Sequence, residues 1–534
     1  MKKGKNLNVW LAMSMFLSMM VCTATGQTIY VDADANGLND GSSWTNAYNY
    51  LQDALAAASD GDEIHVAQGV YLPDCNSAEP DETGDREATF QLINGVTLQG
   101  GYAGFGEPDA NARNIDLYET ILSGDLNGDD IQVDDPLDLD YRYDNSHHVV
   151  AGSGTDETTV LDGFTVTGGN GGYGGGMYND KGSPTIIDCT FSWNGAAGSS
   201  DCAGGGMFNN QSSPTLIGCT FSHNAASWPG GGGISNLLSS PTLINCVFVG
   251  NKSGGIDGGQ AGAMDNWEDS SPTLINCVFI GNYAEGLAGA IYSGGNYVDT
   301  VSSPTLINCT FVGNSAGYRG GAIIQESGTL RLTNCIMWDN TAPEGNVMYL
   351  DDGYQVDATV NISYSDIEGG RSGFSIEQGC TLNWGVGNID VDPLFADPCD
   401  GDYHLQSEGW RWNAKWKEWD FDRVTSRCID AGNPGAPLGA ELLSVPDDPN
   451  NEWGVNLRIN MGAYGGTAEA SMALPGWALL ADLTNDRIVD FNDLAVFVEY
   501  WVDSGQCIPS DLNRNESIDF TDFAVMSGEW LEKK

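Results

Sequence analysis

The chain has 534 residues, of which 71 are glycine, 41% are apolar and only 18% are charged. Disordered chains are instead charge-rich and poor in aromatics, so disorder is excluded for most of the length. Lys and Arg number 21 against 73 Asp and Glu, a formal charge of −52; phosphate backbones and anionic lipid surfaces are repelled, and nucleic acid is excluded as a partner.

Residues 1–26 carry Lys2, Lys3 and Lys5, an apolar run from Val9 to Val21, and the small residues Ala24, Thr25 and Gly26. These are the three regions of a secretory signal, so the protein is expected outside the cell or at its surface. The run is shorter than the roughly 20 residues of a membrane helix, and no membrane span is expected. Residues 27–160 read as an N-terminal cap and first rungs. Asp40-Gly-Ser-Ser43 precedes helical spacing of Tyr48, Leu51 and Leu55, and Glu63-Ile-His-Val66 follows as a strand. Asp125-Leu-Asn-Gly-Asp129 opens like a cation loop, but Val133 and Pro136 stand at its later ligand positions. An ordinary Asp-Gly turn is the competing reading.

Residues 161–370 are repetitive. The phrase Ser302-Ser-Pro-Thr-Leu-Ile-Asn-Cys-Thr-Phe311 has earlier copies ending at Phe191, Phe221, Phe248 and Phe279. Its cysteines are Cys189, Cys219, Cys246, Cys277, Cys309 and, in a weaker copy, Cys335, with steps of 26 to 32 residues. A second phrase keeps pace at Gly175-Gly-Met177, Gly205-Gly-Met207, Gly232-Gly-Ile234, Gly262-Ala-Met264, Gly289-Ala-Ile291 and Gly321-Ala-Ile323, and turns are expected at Asn194, Asn224, Asn251, Asn282 and Asn314. A period near 30 with short, β-branched, Gly- and Pro-punctuated segments predicts an all-β solenoid of about 27–32 residues per rung. Each strand stacks in parallel on its copy in the next rung, a right-handed parallel β-helix. Simple alternation points Ile307, Cys309 and Phe311 inward and Leu306, Asn308 and Thr310 outward. The six cysteines then form an inward ladder of free thiols; Cys399 and Cys428 are better candidates for a disulfide.

The paired phrases resemble the repeats of the bacterial polymorphic outer membrane protein family, and the coil resembles pectin-lyase-like β-helices. That resemblance implies a fold rather than an activity, since such coils serve lyases, hydrolases, adhesins and stalks. Residues 371–474 read as C-terminal rungs and cap, with Asp392-Pro-Leu-Phe395, Cys428-Ile-Asp-Ala-Gly432 and Ile459-Asn-Met-Gly-Ala-Tyr464 similar to closing segments of secreted bacterial β-helices. The coil is expected to end near residue 470. Trp410 to Trp419, the one basic, aromatic-rich stretch, reads as a cover for the coil end or as a glycan patch.

Residues 475–534 differ in composition and hold two similar stretches 29 residues apart, Asp482 to Asp493 and Asp511 to Asp522. Oxygen side chains fall at loop positions 1, 3, 5, 9 and 12, each loop followed by a helix, as in EF-hand-like Ca²⁺ loops. The pair resembles a type I dockerin. Carried over, the ligands are Asp482, Thr484, Asp486, Asp490 and Asp493, then Asp511, Asn513, Asn515, Asp519 and Asp522, with the carbonyls of Ile488 and Ser517. A cohesin-like protein is the implied partner. Arg487 and Glu516 stand where glycine would ease the turn, at a cost of about 1 kcal/mol in each loop, and Phe491 and Phe520 depart from the small residues expected beside a cohesin.

No Gly-His-Gly occurs among His65, His147, His148, His223 and His404, which removes the polygalacturonase signature. Lyase-type β-helices use Arg or Lys near Ca²⁺-binding acids. Lys181, Lys252, Arg319 and Arg331 are scattered in sequence, with Asp265, Glu268, Asp269 and Glu285 nearby. Trp193, Trp228, Trp267, Tyr283 and Tyr318 recur on the turns, where sugar rings could stack. The expected function is binding or degradation of extracellular polysaccharide, by a polysaccharide lyase or glycoside hydrolase if catalytic. The alternative is a non-catalytic adhesin or surface stalk.

Overall fold

The computed structural model describes residues 26–131, 135–139, 142–198, 203–227, 230–255, 258–295, 300–353, 356–441 and 454–534. The signal segment apart from Gly26, Val133 and Trp228 lie outside the described residues.

Parallel strands stack into a coil with three long faces and a short fourth. A twelve-stranded sheet runs from Thr28–Val31 to Thr381–Trp384, one ten-stranded sheet from Gly69–Tyr71 to Asp366–Ile367, the other from Phe90–Gln91 to Phe374–Ile376, and a six-stranded one from Asn170–Gly171 to Ser315–Ala316. These are called the first, second, third and fourth faces below. Equivalent residues pair in register, Leu216 with Leu243, Phe221 with Phe248 and Asn209 with Asn236.

In-register stacking explains which residues repeat. Phe191, Phe221, Phe248, Phe279 and Phe311 form a column with ring centroids 4.5 to 5.0 Å apart and planes within 7° of parallel. The predicted cysteine ladder lies inside, its buried thiols unpaired and directed at strand carbonyls such as Ile186 O, 3.5 Å from Cys219 Sγ. Cys399 is exposed and Cys428 fully buried, and they are not bridged.

The expected inward face needs correction. Leu306 is buried in the core with Leu216, Leu243 and Leu274, whereas Ile307 is half-buried on the outside. Asn308 sits at φ 52°, as Asp188, Gly218, Asn245, Asn276 and Asn334 do in their rungs at 47° to 65°. A left-handed residue turns the corner between the first and second faces and resets the alternation. Leu306 and Cys309 therefore both point inward.

The turn asparagines carry more of the structure than turns require. Asn194, Asn224, Asn251, Asn282, Asn314 and Asn340 form a fully or almost fully buried ladder in which each Nδ2 donates to the Oδ1 of the next at 2.9 to 3.1 Å. Each of the first five also donates its backbone N–H to that oxygen. The second ladder, Asn179 to Asn209, Asn236, Asn266 and Ser293, lines the third face from inside.

Helix α1 (Leu51–Ala57) packs Leu51, Ala54 and Leu55 into the core near the first rungs. The last stacked strand ends at Trp384, with one more parallel bridge between Asp366 and Ile389, so stacking stops well before residue 470. The chain then runs alongside the coil, because Val278, Val312 and Ile336 on the outside of the second face need cover and receive it from Cys428, Ile429, Met461 and Ala463. The carbonyls of Ala463 and Gly465 accept from Asn276 Nδ2, and the amide of Ala463 donates to Thr310 Oγ1 at 2.9 Å. Trp410 to Trp419 is a hairpin of Arg411–Asn413 and Glu418–Asp420, with Arg411 held by Asp402 and Asp422.

Burial pushes Asp366, beside the Cys428 thiol at 3.0 Å, up to about 7. A carboxyl with a folded pKa above its unfolded value of about 3.9 binds more protons when folded, so its contribution falls as pH rises from about 4 to 7. Asp366→Asn should flatten that part of the Tm-versus-pH curve. Asn251→Ala leaves partners unpaired on both sides, Asn224 and the Phe221 carbonyl among them. At about 1–3 kcal/mol for each buried group it should lower unfolding free energy by several kcal/mol in urea titration.

Candidate functional sites on the third face and in the tail

The third face carries a row of carboxylates. Gln325, Leu350 and Ile376 stand opposite one another on successive rungs, so the residues that follow, Glu326, Asp351 and Glu377, project outward one rung apart. Like charges at strand spacing repel, at about 4.8 Å between neighbours. Arg319 answers them. Its guanidinium lies 3.3 Å from Glu344 and 3.7 Å from both Asp351 and Glu377, stacked 4.6 Å from the centre of the Tyr349 ring. The Tyr349 hydroxyl meets Glu377 and the Tyr292 hydroxyl meets Glu326. Asp352 brings a further carboxylate oxygen within 4.8 Å of those of Asp351 and Glu377. Among the described residues Arg319 is the only base paired with this row.

Burial raises the pKa of Glu326, and burial with the Glu377 charge raises that of Asp351. Beneath Tyr292 in the neighbouring outward row stands Asp265, 1% exposed, with neither carboxyl oxygen hydrogen-bonded within the protein. Burial, with Glu326 nearby, raises its pKa as well. Leu287, Tyr318, Arg319, Pro343 and Glu344 line a groove of about 460 Å³ beside the row, and Tyr318 on its wall is 63% exposed.

The scattered bases anticipated from sequence do not converge. Lys181 is near Asp180, Lys252 pairs with Asp135, and Arg331 is exposed on the first face; only Arg319 joins a carboxylate cluster. Glu285 accepts from the amide of Gly255, away from that cluster. The turn aromatics occupy different faces: Trp193 stacks on His223, Trp267 lies against Tyr292, and Tyr283 is on the fourth face. His147 and His148 sit at a strand end, the second half-buried and stacked on Tyr178. The carboxylates of Asp125, Asp129 and Asp130 cluster too, with Arg142 3.5 Å from Asp130.

In the tail, helices α2 (Phe491–Glu499) and α3 (Phe520–Gly528) follow two loops with the same internal bonds. Asp482 accepts from the amides of Asp486 and Arg487, and Asp511 from those of Asn515 and Glu516. Asp493 accepts from the amides of Thr484 and Asp490, and Asp522 from those of Asn513 and Asp519. Arg487 and Glu516 adopt φ of 74° and 66°, the left-handed geometry for which glycine is cheapest. The carboxylates of Asp482, Asp486 and Asp493 lie within 4.8 Å of one another, and Thr484 Oγ1 is 3.0 Å from Asp493. This all-oxygen set fits a hard divalent cation. Asp490 and Asp519 instead cap α2 and α3, Asn515 accepts from the Ser517 amide, and Asn513 turns its amide to Thr521. Ile488 and Ser517 sit in short antiparallel bridges to Lys533 and Ser504.

The tail is bonded to the coil. Arg458, 1% exposed, donates to the carbonyls of Ala431, Gly432 and Asp482 and lies over Tyr364. Asn485 and Arg514, equivalent positions of the two loops, donate to carbonyls of Gly387 and Ala431 and of Pro434 and Leu457. Burial raises Asp482 to about 6 although the Arg458 charge opposes that rise.

A family model described as right handed beta helix region matches residues 142–300, and one described as disaggregatase related matches residues 378–432. The chain has a right-handed parallel β-helix fold. Similar solved structures include pectate lyase Pel9A, 14% identical over 82% of this chain and 96% of that one with a TM-score of 0.41. Others are a rhamnogalacturonan lyase (13%, 69% and 90%, 0.38) and the endo-xylogalacturonan hydrolase of Aspergillus tubingensis (12%, 68% and 99%, 0.28). At these values none lends this chain a residue role. No curated protein matches the chain. Among the described residues no helix is long and apolar enough to cross a membrane.

Sequence reading missed Glu326, Asp351 and Glu377, although acids recurring at 25- and 26-residue steps just after third-face strands were a usable signal. Arg458 gave none. Arg458→Met should cost several kcal/mol, because it strips the buried carbonyls of Ala431, Gly432 and Asp482 of their donor at about 1–3 kcal/mol each; a loss of stability by denaturant titration below about 1 kcal/mol would contradict the tail's docking.

Proposed function

We propose that this protein is exported, binds and cleaves an extracellular polysaccharide on its third face, and holds Ca²⁺ in a tail that docks to a partner. The observation carrying the first part is the convergence of Arg319 with Glu344, Asp351 and Glu377 over Tyr349, beside the groove. A stalk gains nothing from carboxylates aligned rung by rung, whereas perturbed carboxyls grouped at a groove are the usual equipment of a reactive site. Arg319→Ala and Glu377→Gln are each expected to lower kcat/KM on a cleaved glycan by about 100-fold, measured by release of reducing ends. A folded protein that retains glycan without cutting it is an adhesin. One that does neither is a stalk.

For the tail, the reading rests on the loop spacing and the matched bonds of the two loops. Asp482, Thr484, Asp486 and Asp493 would hold one ion with the Ile488 carbonyl, and Asp511, Asn513, Asn515 and Asp522 the other with the Ser517 carbonyl; Asp490 and Asp519 keep their capping role. Ca²⁺ supplies the positive charge that the crowded carboxylates lack. Phe491 and Phe520, 74% and 77% exposed, offer a face to a cohesin-like partner. Titration calorimetry should report two sites, the one lost in Asp511→Ala being tighter than the one lost in Asp482→Ala, since Arg458 already places a positive charge under the first loop. Ca²⁺ that releases no heat and leaves Tm unchanged would remove this part of the reading.

A further inference from the structure

Resting on the glycan-cleaving reading, the structure also bears on which glycans the third face accepts. We infer that the substrate is a polysaccharide without acidic groups and that it is hydrolysed, with Glu326 as general acid and Asp351 as nucleophile.

The charge of the site comes first. Glu326, Glu344, Asp351, Asp352 and Glu377 stand together with one guanidinium among them. A polyuronate brings a carboxylate on every sugar and needs cations to receive them. Arg319 is the only base paired with the row among the described residues, and it is already shared by Glu344, Asp351 and Glu377 and stacked on Tyr349. It cannot also neutralise a uronate or act as the base that removes its α-proton. An uncharged or amino-bearing chain meets no such repulsion, and its hydroxyl or amino hydrogens find acceptors in the row.

Two neighbouring carboxyls of the row differ in what surrounds them. Glu326 is the more buried, its carboxyl against the Tyr292 hydroxyl, with the buried and unpaired Asp265 in the adjacent row. Burial and the charges of Asp351 and Asp352 disfavour its ionised form, outweighing the Tyr292 hydroxyl that favours it, and keep a proton available for donation. Asp351 lies on the next rung, where burial and the Glu377 charge raise its pKa too, but Arg319 at 3.7 Å opposes that rise and has no counterpart at Glu326, so of the two it is Asp351 that ionises. Carboxyls one rung apart, about 4.8 Å, match the close pair of glycoside hydrolysis, in which the second carboxylate bonds to the sugar because no water fits between it and the anomeric carbon. In the step, Glu326 gives its proton to the bridging oxygen as the bond from that oxygen to the anomeric carbon breaks. Asp351 bonds to the same carbon as it does so, and a water that yields its proton to Glu326 then displaces Asp351. One water is consumed, one new reducing end and one new hydroxyl appear, and both carboxyls end in the protonation state in which they began.

The test incubates the full-length protein separately with a neutral β-glucan, partially deacetylated chitin and polygalacturonate, following reducing ends and the near-ultraviolet absorbance of unsaturated products. The inference expects reducing ends from the glucan or the chitin derivative without that absorbance, and none from polygalacturonate. Glu326→Gln and Asp351→Asn should each reduce turnover at least about 100-fold at unchanged Tm. Should Glu326→Gln fail to fold, Asp351→Asn carries the test. Cleavage of polygalacturonate with unsaturated product would overturn this inference and leave the glycan-cleaving reading intact, as would undiminished turnover in a folded variant. A native protein that cuts none of the three and binds none of them in pull-down would overturn both.

Discussion

The spacing between rungs governs this molecule. Parallel strands about 4.8 Å apart put each side chain directly over its counterpart in the next rung, and the buried asparagine ladders fix that register. Every ladder amide between the first and last rung is donor to one neighbour and acceptor from the other, so a slip of one residue along a strand would strand a row of buried polar groups. The phenylalanine column and the thiol ladder fill the space so defined. Neither sets register by itself, because apolar contacts lack direction.

The same stacking turns composition into geometry. A residue type recurring once per rung becomes a column, whether it is a phenylalanine inside or a carboxylate outside. Columns of acid are unfavourable in isolation, and on the third face the structure meets this with one arginine, two tyrosine hydroxyls and a partial retreat of two carboxyls from ionisation. A rigid surface presenting titratable groups at fixed spacing is well suited to a long, repetitive polymer. The tail extends the scaffold in another way: its two loops lay their fourth residues against carbonyls of the coil's side segment, leaving the aromatic tips of α2 and α3 turned to solvent.

Much of this was legible in sequence because repetition reports register. The period, the short strands, the inward cysteines and phenylalanines, the turn asparagines and the paired tail loops all follow from aligned copies. Simple alternation across Leu306 and Cys309 overlooks the left-handed corner at Asn308, although its mark is in the sequence: the equivalent positions from Asp188 to Asn334 are all Asn, Asp or Gly, which tolerate that geometry and are scarce in strands. The coil's end was placed too late because closing segments such as Ile459 to Tyr464 resemble rungs in composition while packing along the side. The carboxylate row was harder still. Arg319, Glu344 and Asp352 gather around it from loops and strand ends whose positions only the folded coil defines, and Arg458 is tied to carbonyls, which any sequence supplies.

The central claim is that the third face is where glycan meets this protein. A crystal structure of the protein soaked with a neutral oligosaccharide tests it most directly. The account predicts a sugar along the groove beside Tyr318 and Arg319, with a glycosidic oxygen in hydrogen-bond reach of Glu326 or Asp351. A sugar ordered on another face or on the tail alone, with the third face empty at saturating ligand, would contradict it.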